Sequence, residues 1–255
     1  MNLLLNFVTA PFKKAQDFNA ATACRIGGFD HAFKASPELV DSDFKDRYGS
    51  ILKQARGAGY WLWKPYFILK TLERAQDGDI LMYADSASHF IHSAAPVFVL
   101  PAQFHQPVIP FELELPERAW TKRDAFIALG VDGNGYEVTP QRLASFILFR
   151  KSPMSLQFCQ DYLNYCTNEQ ILTDAANIDG KPNYDDFVEH RHDQSIFSLL
   201  TKKYGLQAFR DPSQWGNGRK SQDANSDYPQ IIEHTRQPSP GSPKLSDKIK
   251  RFFFS

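Results

Sequence analysis

The sequence predicts an α/β fold in a single domain. Three observations carry this. The chain opens with a short apolar run, Leu3 to Val8, that reads as a buried strand ahead of a helical stretch. A helix, a turn, a second apolar run and then an acid follow one another between Pro65 and Asp85. The length, 255 residues, suits one α/β unit with a tail.

Each element follows in order. The first strand ends at Thr9, Ala10 and Pro11, and a helix is expected from Phe12 to about Cys24, closed by Gly27 and Gly28. Pro37 opens another helical stretch to about Ala55. Pro65 fits the first turn of the next helix, where a missing N–H costs nothing. Ile68, Leu69, Leu72 and Ala75 then mark its buried face, and Asp77-Gly78 ends it. Ile80 to Tyr83 reads as a central strand with Asp85 just past its end. In open α/β sheets ligands bind outside the carboxyl ends of strands, which makes Asp85 a candidate. Pro96 to Pro116 carries five prolines and reads as irregular chain with edge strands. A helix is expected at Trp120 to Asp124 with Thr121 as its N-cap, then a turn-rich loop at Gly130 to Gly135. Leu143 to Phe149 reads as a strand, Pro153 to Cys166 as a helix and Asn168 to Asp186 as a polar connection. Asp193 opens a helix with Ile196, Phe197, Leu199 and Leu200 inward, and Ile231-Ile232 is a last candidate strand.

Composition excludes several classes. Lysine plus arginine number 29 and aspartate plus glutamate 29, which argues against a broad basic face for nucleic acid. With 42% hydrophobic residues, disorder as the main state is excluded. The three cysteines include no CxxC pair, which disfavours a disulfide framework or zinc site and favours a reducing compartment. The basic residues follow the first apolar run rather than precede it, unlike a signal peptide. No stretch reaches the roughly 18 apolar residues of a membrane span. A cytoplasmic location is therefore expected.

The segments GYWLWKPYFILKTL, DGDILMYADS, WTKRDAF and HRHDQSIFSLL occur in this order. Together they resemble a family of bacterial glycosyltransferase-like proteins with the GT-A, nucleotide-diphosphosugar transferase fold, over roughly residues 7 to 236. The resemblance implies a Rossmann-like mixed, mostly parallel sheet flanked by helices. It implies a nucleotide-sugar donor and a hydroxyl acceptor on a saccharide or lipid-linked glycan, as in cell-surface polysaccharide synthesis. The leaving nucleotide diphosphate needs positive charge, from a divalent cation or from Lys and Arg. Where the family carries a DxD-type metal motif, this chain has Asp85-Ser86-Ala87, so the second acid is missing. One carboxylate with phosphate oxygens and waters can still hold Mg²⁺ or Mn²⁺.

The site residues follow, each beside a structural alternative. Asp85 and Ser86 face the donor, or cap a turn. Lys64 reaches the diphosphate or a donor hydroxyl, or is a solvated lysine at a helix start. Trp63, with Trp61 and Tyr60, stacks on a sugar or base, or belongs to the core. By the resemblance, Asp193 and Gln194 lie near the donor sugar, with Asp193 binding hydroxyls or acting as base and Gln194 beside the anomeric carbon; Asp193 is equally a good N-cap. His190 and His192 bind phosphate or flank the site. His234 is a second metal or diphosphate contact, or a surface histidine. Lys122, Arg123 and Asp124 border the donor pocket, or form a charged first turn.

The segment from residue 238 onward reads as a Pro/Ser linker and then a basic, phenylalanine-rich tail suited to an anionic membrane surface, which places the protein in the cytoplasm at the inner face of the membrane. Three rivals stay open. A nucleotidyltransferase would want glycines after the first strand, where Thr9 to Lys14 has none. A non-catalytic sugar-nucleotide or glycan-binding protein would explain the missing acid. For a membrane-surface scaffold only the tail speaks.

Overall fold

A computed structural model describes residues 1–218 and 225–237. The linker and tail from residue 238 on, and with them the expected membrane contact, lie outside the described residues. No helix among the described residues is long and apolar enough to cross a membrane.

One six-stranded sheet organises the chain. Its strands are β1 (Asn2–Phe7), β2 (His31–Ala35), β3 (Ile80–Ala84), β5 (Val108–Pro116), β6 (Pro140–Arg150) and β7 (Phe209–Arg210), in the order β2-β1-β3-β6-β5-β7. The pairs β1–β2, β1–β3 and β5–β7 are parallel, and β6 runs antiparallel to both its neighbours. The sheet is therefore mixed and mostly parallel, as expected. A separate two-stranded ribbon pairs β4 (Ser88–Phe90) with β8 (Ile232–His234).

Strand alternation divides the core into two layers. Leu3, Leu5 and Phe7 of β1, with Leu81 and Tyr83 of β3, face the helices Trp63–Arg74, Pro153–Cys166 and His192–Lys203. Leu4, Met82, Ala84, Phe146 and Leu148 face the opposite way, onto Ala23, Phe29, Phe90 and Val97. Asn6, on that second face, is buried and donates from Nδ2 to Asn19 Oδ1 at 2.7 Å. Asn19 in turn donates to Ser88, which ties the Lys13–Thr22 helix to the ribbon.

Several expectations need correction. β2 was not expected; its half-exposed HAFKA sequence carries little burial signal. The proline-rich stretch does not stay irregular. It forms the short helices Ala95–Phe98 and Leu100–Gln103 and then the nine-residue strand β5, which lies between β6 and β7 rather than at an edge. Thr121 is not an N-cap. Lys122 holds that place before the Arg123–Ala128 helix, while Thr121 Oγ1 is buried and donates to Glu117 Oε1 at 2.6 Å. Asp193 does not cap either. It lies inside the first turn of the His192–Lys203 helix, whose N-cap position is Arg191. The expected polar connection after Asn168 begins with a helical turn, Glu169–Leu172, that buries Ile171 and Leu172.

Pro110 has local consequences beside the site. It has no N–H to give to the ladder. Between Pro110 and Phe111 the β6 partner jumps from Ile147 to Leu143, so residues 144–146 bulge out of the β5 pairing. That bulge faces the end of β3, where Asp85 N–H donates to Ser145 O at 2.9 Å.

Candidate functional site

β1 and β3 are parallel neighbours, so their carboxyl ends open on the same side of the sheet. A cavity of about 620 Å³ lies there, walled by Thr9 past the end of β1 and by Asp85, Ser86 and Ala87 past the end of β3. A smaller cavity of about 270 Å³ adjoins it, beside the start of the His192–Lys203 helix. Trp61, Asp85, Ser145 and Arg236 line both. The two are lobes of one cleft, with Asp85 at their junction.

The larger lobe holds Asp85, His234 and Arg236. Tyr83 is buried and donates its hydroxyl to Asp85 Oδ1 at 2.7 Å, while no described group bonds Oδ2. His234 is buried at the end of β8 with its ring edge-on to Phe146 at 5.2 Å. Burial holds its imidazole down to about 4, against the pull of Asp85, so it is neutral at pH 7. Arg236 is exposed, lies over the Trp215 ring at 5.6 Å and forms no ion pair with the described residues. Ser86 does not offer its hydroxyl to the cleft; Oγ donates to Phe7 O at 2.6 Å.

The smaller lobe is built on a buried ion pair. Lys64 Nζ lies 2.7 Å from Asp193 Oδ2, both side chains being 4% exposed. Lys64 also donates to Ala144 O at 3.0 Å, and Gln194 Oε1 accepts from Ala144 N at 3.2 Å. The bulged peptide groups of β6 are thus held by the two side chains on either side. Tyr162 donates to the same Asp193 Oδ2 at 3.1 Å. Asp193 Oδ1 has no hydrogen bond from the described residues. Burial pushes the Asp193 carboxyl up, against the opposing pull of Lys64. Gln194 is fixed as well, since Nε2 donates to Gln141 Oε1 at 2.8 Å.

The wall between the lobes explains the GAGYW sequence. Gly57, Ala58, Gly59, Tyr60 and Trp61 all have positive φ, at 58°, 51°, 99°, 50° and 60°. They form one left-handed helical turn, in which Tyr60 N–H donates to Arg56 O at 2.8 Å. Such a turn costs about 1–2 kcal/mol for each non-glycine residue. A Cβ at Gly59 would lie 2.8 Å from Leu52 Cα, so the approach to the Ser42–Leu52 helix requires glycine there. The turn is held from outside: Trp63 Nε1 donates to Gly57 O at 3.0 Å, Tyr60 hydroxyl to Asp174 Oδ2 at 3.2 Å, and Arg56 pairs with Asp174 at 3.3 Å. Trp61 stacks on His192, with centroids 5.5 Å apart. His192 and Arg236 also have positive φ. Of the six such non-glycine residues among the described ones, only His105 lies away from the cleft and its wall. Backbone strain of this kind collects at functional sites.

The cleft thus brings together Lys64, Asp85, Ser86, Trp63, His190, His192, Asp193, Gln194 and His234 of the sequence-derived set. The placements of Lys64, Ser86, Trp63, His190 and Arg123 differ from expectation. Lys64 spends its donors on Asp193 and Ala144. Trp63 is 6% exposed and stacked on Phe7 at 3.6 Å, so it is first a core residue, although it also lines the cavity. His190 is committed to backbone, with Nε2 on Ile171 O at 2.8 Å and Nδ1 accepting from Lys122 N at 3.2 Å. Arg123 lines neither lobe. It pairs with Asp132 at 2.6 Å and lies over the Tyr184 ring, while Lys122 and Asp124 bond the 170–179 segment. His192 Nδ1 bonds Leu172 O at 2.9 Å, and its buried Nε2 has no hydrogen-bond partner among the described residues. Sequence reasoning missed Arg236, Arg56, Thr9 and Ser145. The His-x-Arg spacing beyond Ile232 was the available signal for Arg236.

As metal ligands, Asp85 and His234 face one lobe and offer a carboxylate and a neutral imidazole. Among the described residues no group of three His, Cys, Asp or Glu side chains could hold a metal ion. A metal ion held here would therefore need donors beyond these two side chains.

No protein-family model and no curated protein sequence matches the chain. Among solved structures it is similar to mouse xyloside xylosyltransferase 1 in its apo form, at 11% identity, over 95% of this chain and 100% of that one, with a TM-score of 0.51. It also matches the apo glycosyltransferase GlyE of Streptococcus pneumoniae TIGR4 at 13% identity, over 100% of this chain and 60% of that one, TM-score 0.46. The galactosyltransferase LgtC, in complex with donor and acceptor sugar analogs, matches at 13% identity, over 96% and 88%, TM-score 0.44. The first likeness shows the fold: it is the GT-A fold expected from the sequence.

Proposed function

We propose that this protein is a glycosyltransferase that moves a sugar from a nucleotide diphosphate to a hydroxyl of a saccharide or lipid-linked acceptor. The observation that carries the reading is the two-lobed cleft. One lobe offers an exposed cation and metal-capable donors at strand ends, and the other offers a half-committed buried carboxylate.

In this reading the donor diphosphate lies in the larger lobe, where Arg236 meets its negative charge. Asp85 and His234 would hold Mn²⁺ or Mg²⁺ against the same phosphates. When bound, that ion supplies positive charge to the leaving diphosphate. Lys64 and Tyr162 fix Asp193 so that its free oxygen faces the sugar. There Asp193 orients a donor hydroxyl or accepts the proton of the attacking acceptor hydroxyl, and its upward-shifted carboxyl suits the second role. Gln194, locked by Gln141 and Ala144, shapes the same wall. Trp61 and Trp63 exclude water from the two sides.

A second reading, a binding protein without turnover, is favoured by one observation: Ala87 stands where a second acid would complete the metal site. A thermal-shift screen of UDP-, GDP-, CMP- and dTDP-sugars with and without Mn²⁺ tests the first reading. One donor class should raise the melting temperature, and Asp85→Ala or Arg236→Ala should remove the shift. Release of nucleotide diphosphate on adding acceptor then separates transferase from binder. A folded sample that answers to no donor would overturn both.

A further inference from the structure

A third cavity, of about 250 Å³, opens off the larger lobe and shares Phe7, Ala58 and Trp63 with it. Its remaining walls are Pro37 and Val40 from the loop after β2, and Gly49 and Leu52 from the Ser42–Leu52 helix. Two cations, Lys45 and Lys53, complete it, and no carboxylate lines it. Both lysines are exposed, and neither forms an ion pair with a described residue; Lys45 Nζ donates to the backbone oxygen of Glu38 at 3.2 Å, and, after a Ser36 hydrogen bond, its charge helps to lower the Glu38 carboxyl, which does not line the cavity. Apolar walls with cations and no anions match a ligand that is an apolar chain with an anionic head.

We propose that this annex receives the lipid phosphate of an amphiphilic acceptor, its first chain carbons against Phe7, Val40 and Leu52 and its phosphate against Lys45 and Lys53. The shared walls bring such an acceptor to the cleft, and the strained turn at Ala58 forms the partition between lipid and sugar. The assignment of an acceptor rests on the glycosyl-transfer reading; the binding chemistry of the annex does not.

The experiment measures binding of geranyl phosphate, geraniol and UMP to the full chain by titration calorimetry, with no sugar donor present. Gly49→Leu fills the annex. Gly49 has helical backbone, and a Cβ there meets only the Lys53 side chain, at 3.9 Å, so the variant should fold. Geranyl phosphate should bind the native chain and bind Gly49→Leu about ten-fold or more weakly. The Lys45→Gln/Lys53→Gln double variant should lose geranyl phosphate affinity by a similar factor while geraniol binding is unchanged. Failure of geranyl phosphate to bind, or equal affinity in Gly49→Leu, overturns the proposal. If UMP is the probe that Gly49→Leu weakens, the annex is a nucleobase pocket and the proposal also falls. Geranyl phosphate binding in a protein that answers to no nucleotide sugar would uphold the annex and remove the transferase reading instead.

Discussion

Two buried lysine–carboxylate pairs lie among the described residues, and they are finished differently. Glu117 and Lys202 pair beneath the Glu117–Trp120 turn, with side chains 0% and 5% exposed. Both carboxylate oxygens are bonded: Thr121 and Gln141 donate to Oε1, and Ser198 donates to Oε2 beside Lys202. Lys64 and Asp193 are as deeply buried, yet only Oδ2 is bonded, and the pair lines the cleft. A saturated pair is scaffold. On the proposed reading, a half-saturated pair that lines a cavity keeps one oxygen for a ligand.

The strongest way to break that contrast is to neutralise each acid. Glu117→Gln leaves Lys202 buried without its counter-charge and should cost about 3–5 kcal/mol of stability. Turnover per folded molecule should not change, and Glu117→Gln/Lys202→Met should recover much of the loss. Asp193→Asn carries a similar stability cost and should in addition lower transfer by about 10²–10⁴-fold. Urea denaturation and turnover normalised to folded protein separate the two. Equal effects on turnover from both variants would erase the distinction between scaffold and site.

Next in size is the left-handed turn. Gly59→Ala puts a Cβ 2.8 Å from Leu52 Cα at a φ of +99°, and should cost about 1–3 kcal/mol. Gly133 is the control: it also has positive φ, at 80°, but a Cβ there would meet nothing within 4 Å, so Gly133→Ala should cost only the left-handed penalty of about 1 kcal/mol. A loss of donor-induced stabilisation in Gly59→Ala but not Gly133→Ala, read by thermal shift, would tie the strained turn to binding.

The third concerns pH. Burial holds His190 well below the ordinary histidine value. Its Nδ1 accepts the Lys122 N–H, so the neutral ring carries its proton on Nε2 toward Ile171 O. The unfolded chain therefore binds more protons below about pH 6.5. Stability from His190 is complete above that pH and falls by about 1.4 kcal/mol per unit as the pH drops further toward the folded value. Urea midpoints at pH 7.5 and 5.5 should show the fall, and His190→Gln should make it smaller while the other buried histidines, His234 among them, keep the rest. An equal slope in the variant would remove His190 as the cause.

These contrasts also mark how far the sequence could be read. β1, β3 and the helices at 63–74, 153–166 and 192–203 are legible because each buries an unbroken apolar run or a helical stripe. Asp85 was legible because the strand ahead of it is wholly apolar. Asp193 was found through resemblance, but its fixation was not, because Lys64, Tyr162 and Ala144 lie far away along the chain. β2 escaped because an edge strand with three exposed residues of five has little burial pattern. The left-handed turn escaped for a different reason: two glycines allow positive φ but do not require it of Ala58, Tyr60 and Trp61. Tertiary contacts from Trp63, Asp174 and His192 impose it.

The smallest effect is the most selective. Asp85 and Asp193 are both tethered through one oxygen by a buried tyrosine, Tyr83 at 2.7 Å and Tyr162 at 3.1 Å. Phenylalanine keeps the shape of either ring and leaves no buried donor unpaired. Tyr83→Phe should therefore change stability by no more than about 0.5–1.5 kcal/mol. It should let Asp85 turn, however, and weaken donor binding several-fold, with the Mn²⁺-dependent part of the thermal shift falling most. Thr121→Val is the matched variant on the scaffold side, where the lost hydroxyl bonds Glu117 Oε1; it should cost stability of the same order and leave donor binding alone. If Tyr83→Phe spares donor binding, the tether is only packing, and an unbonded oxygen in the cleft no longer distinguishes site from scaffold.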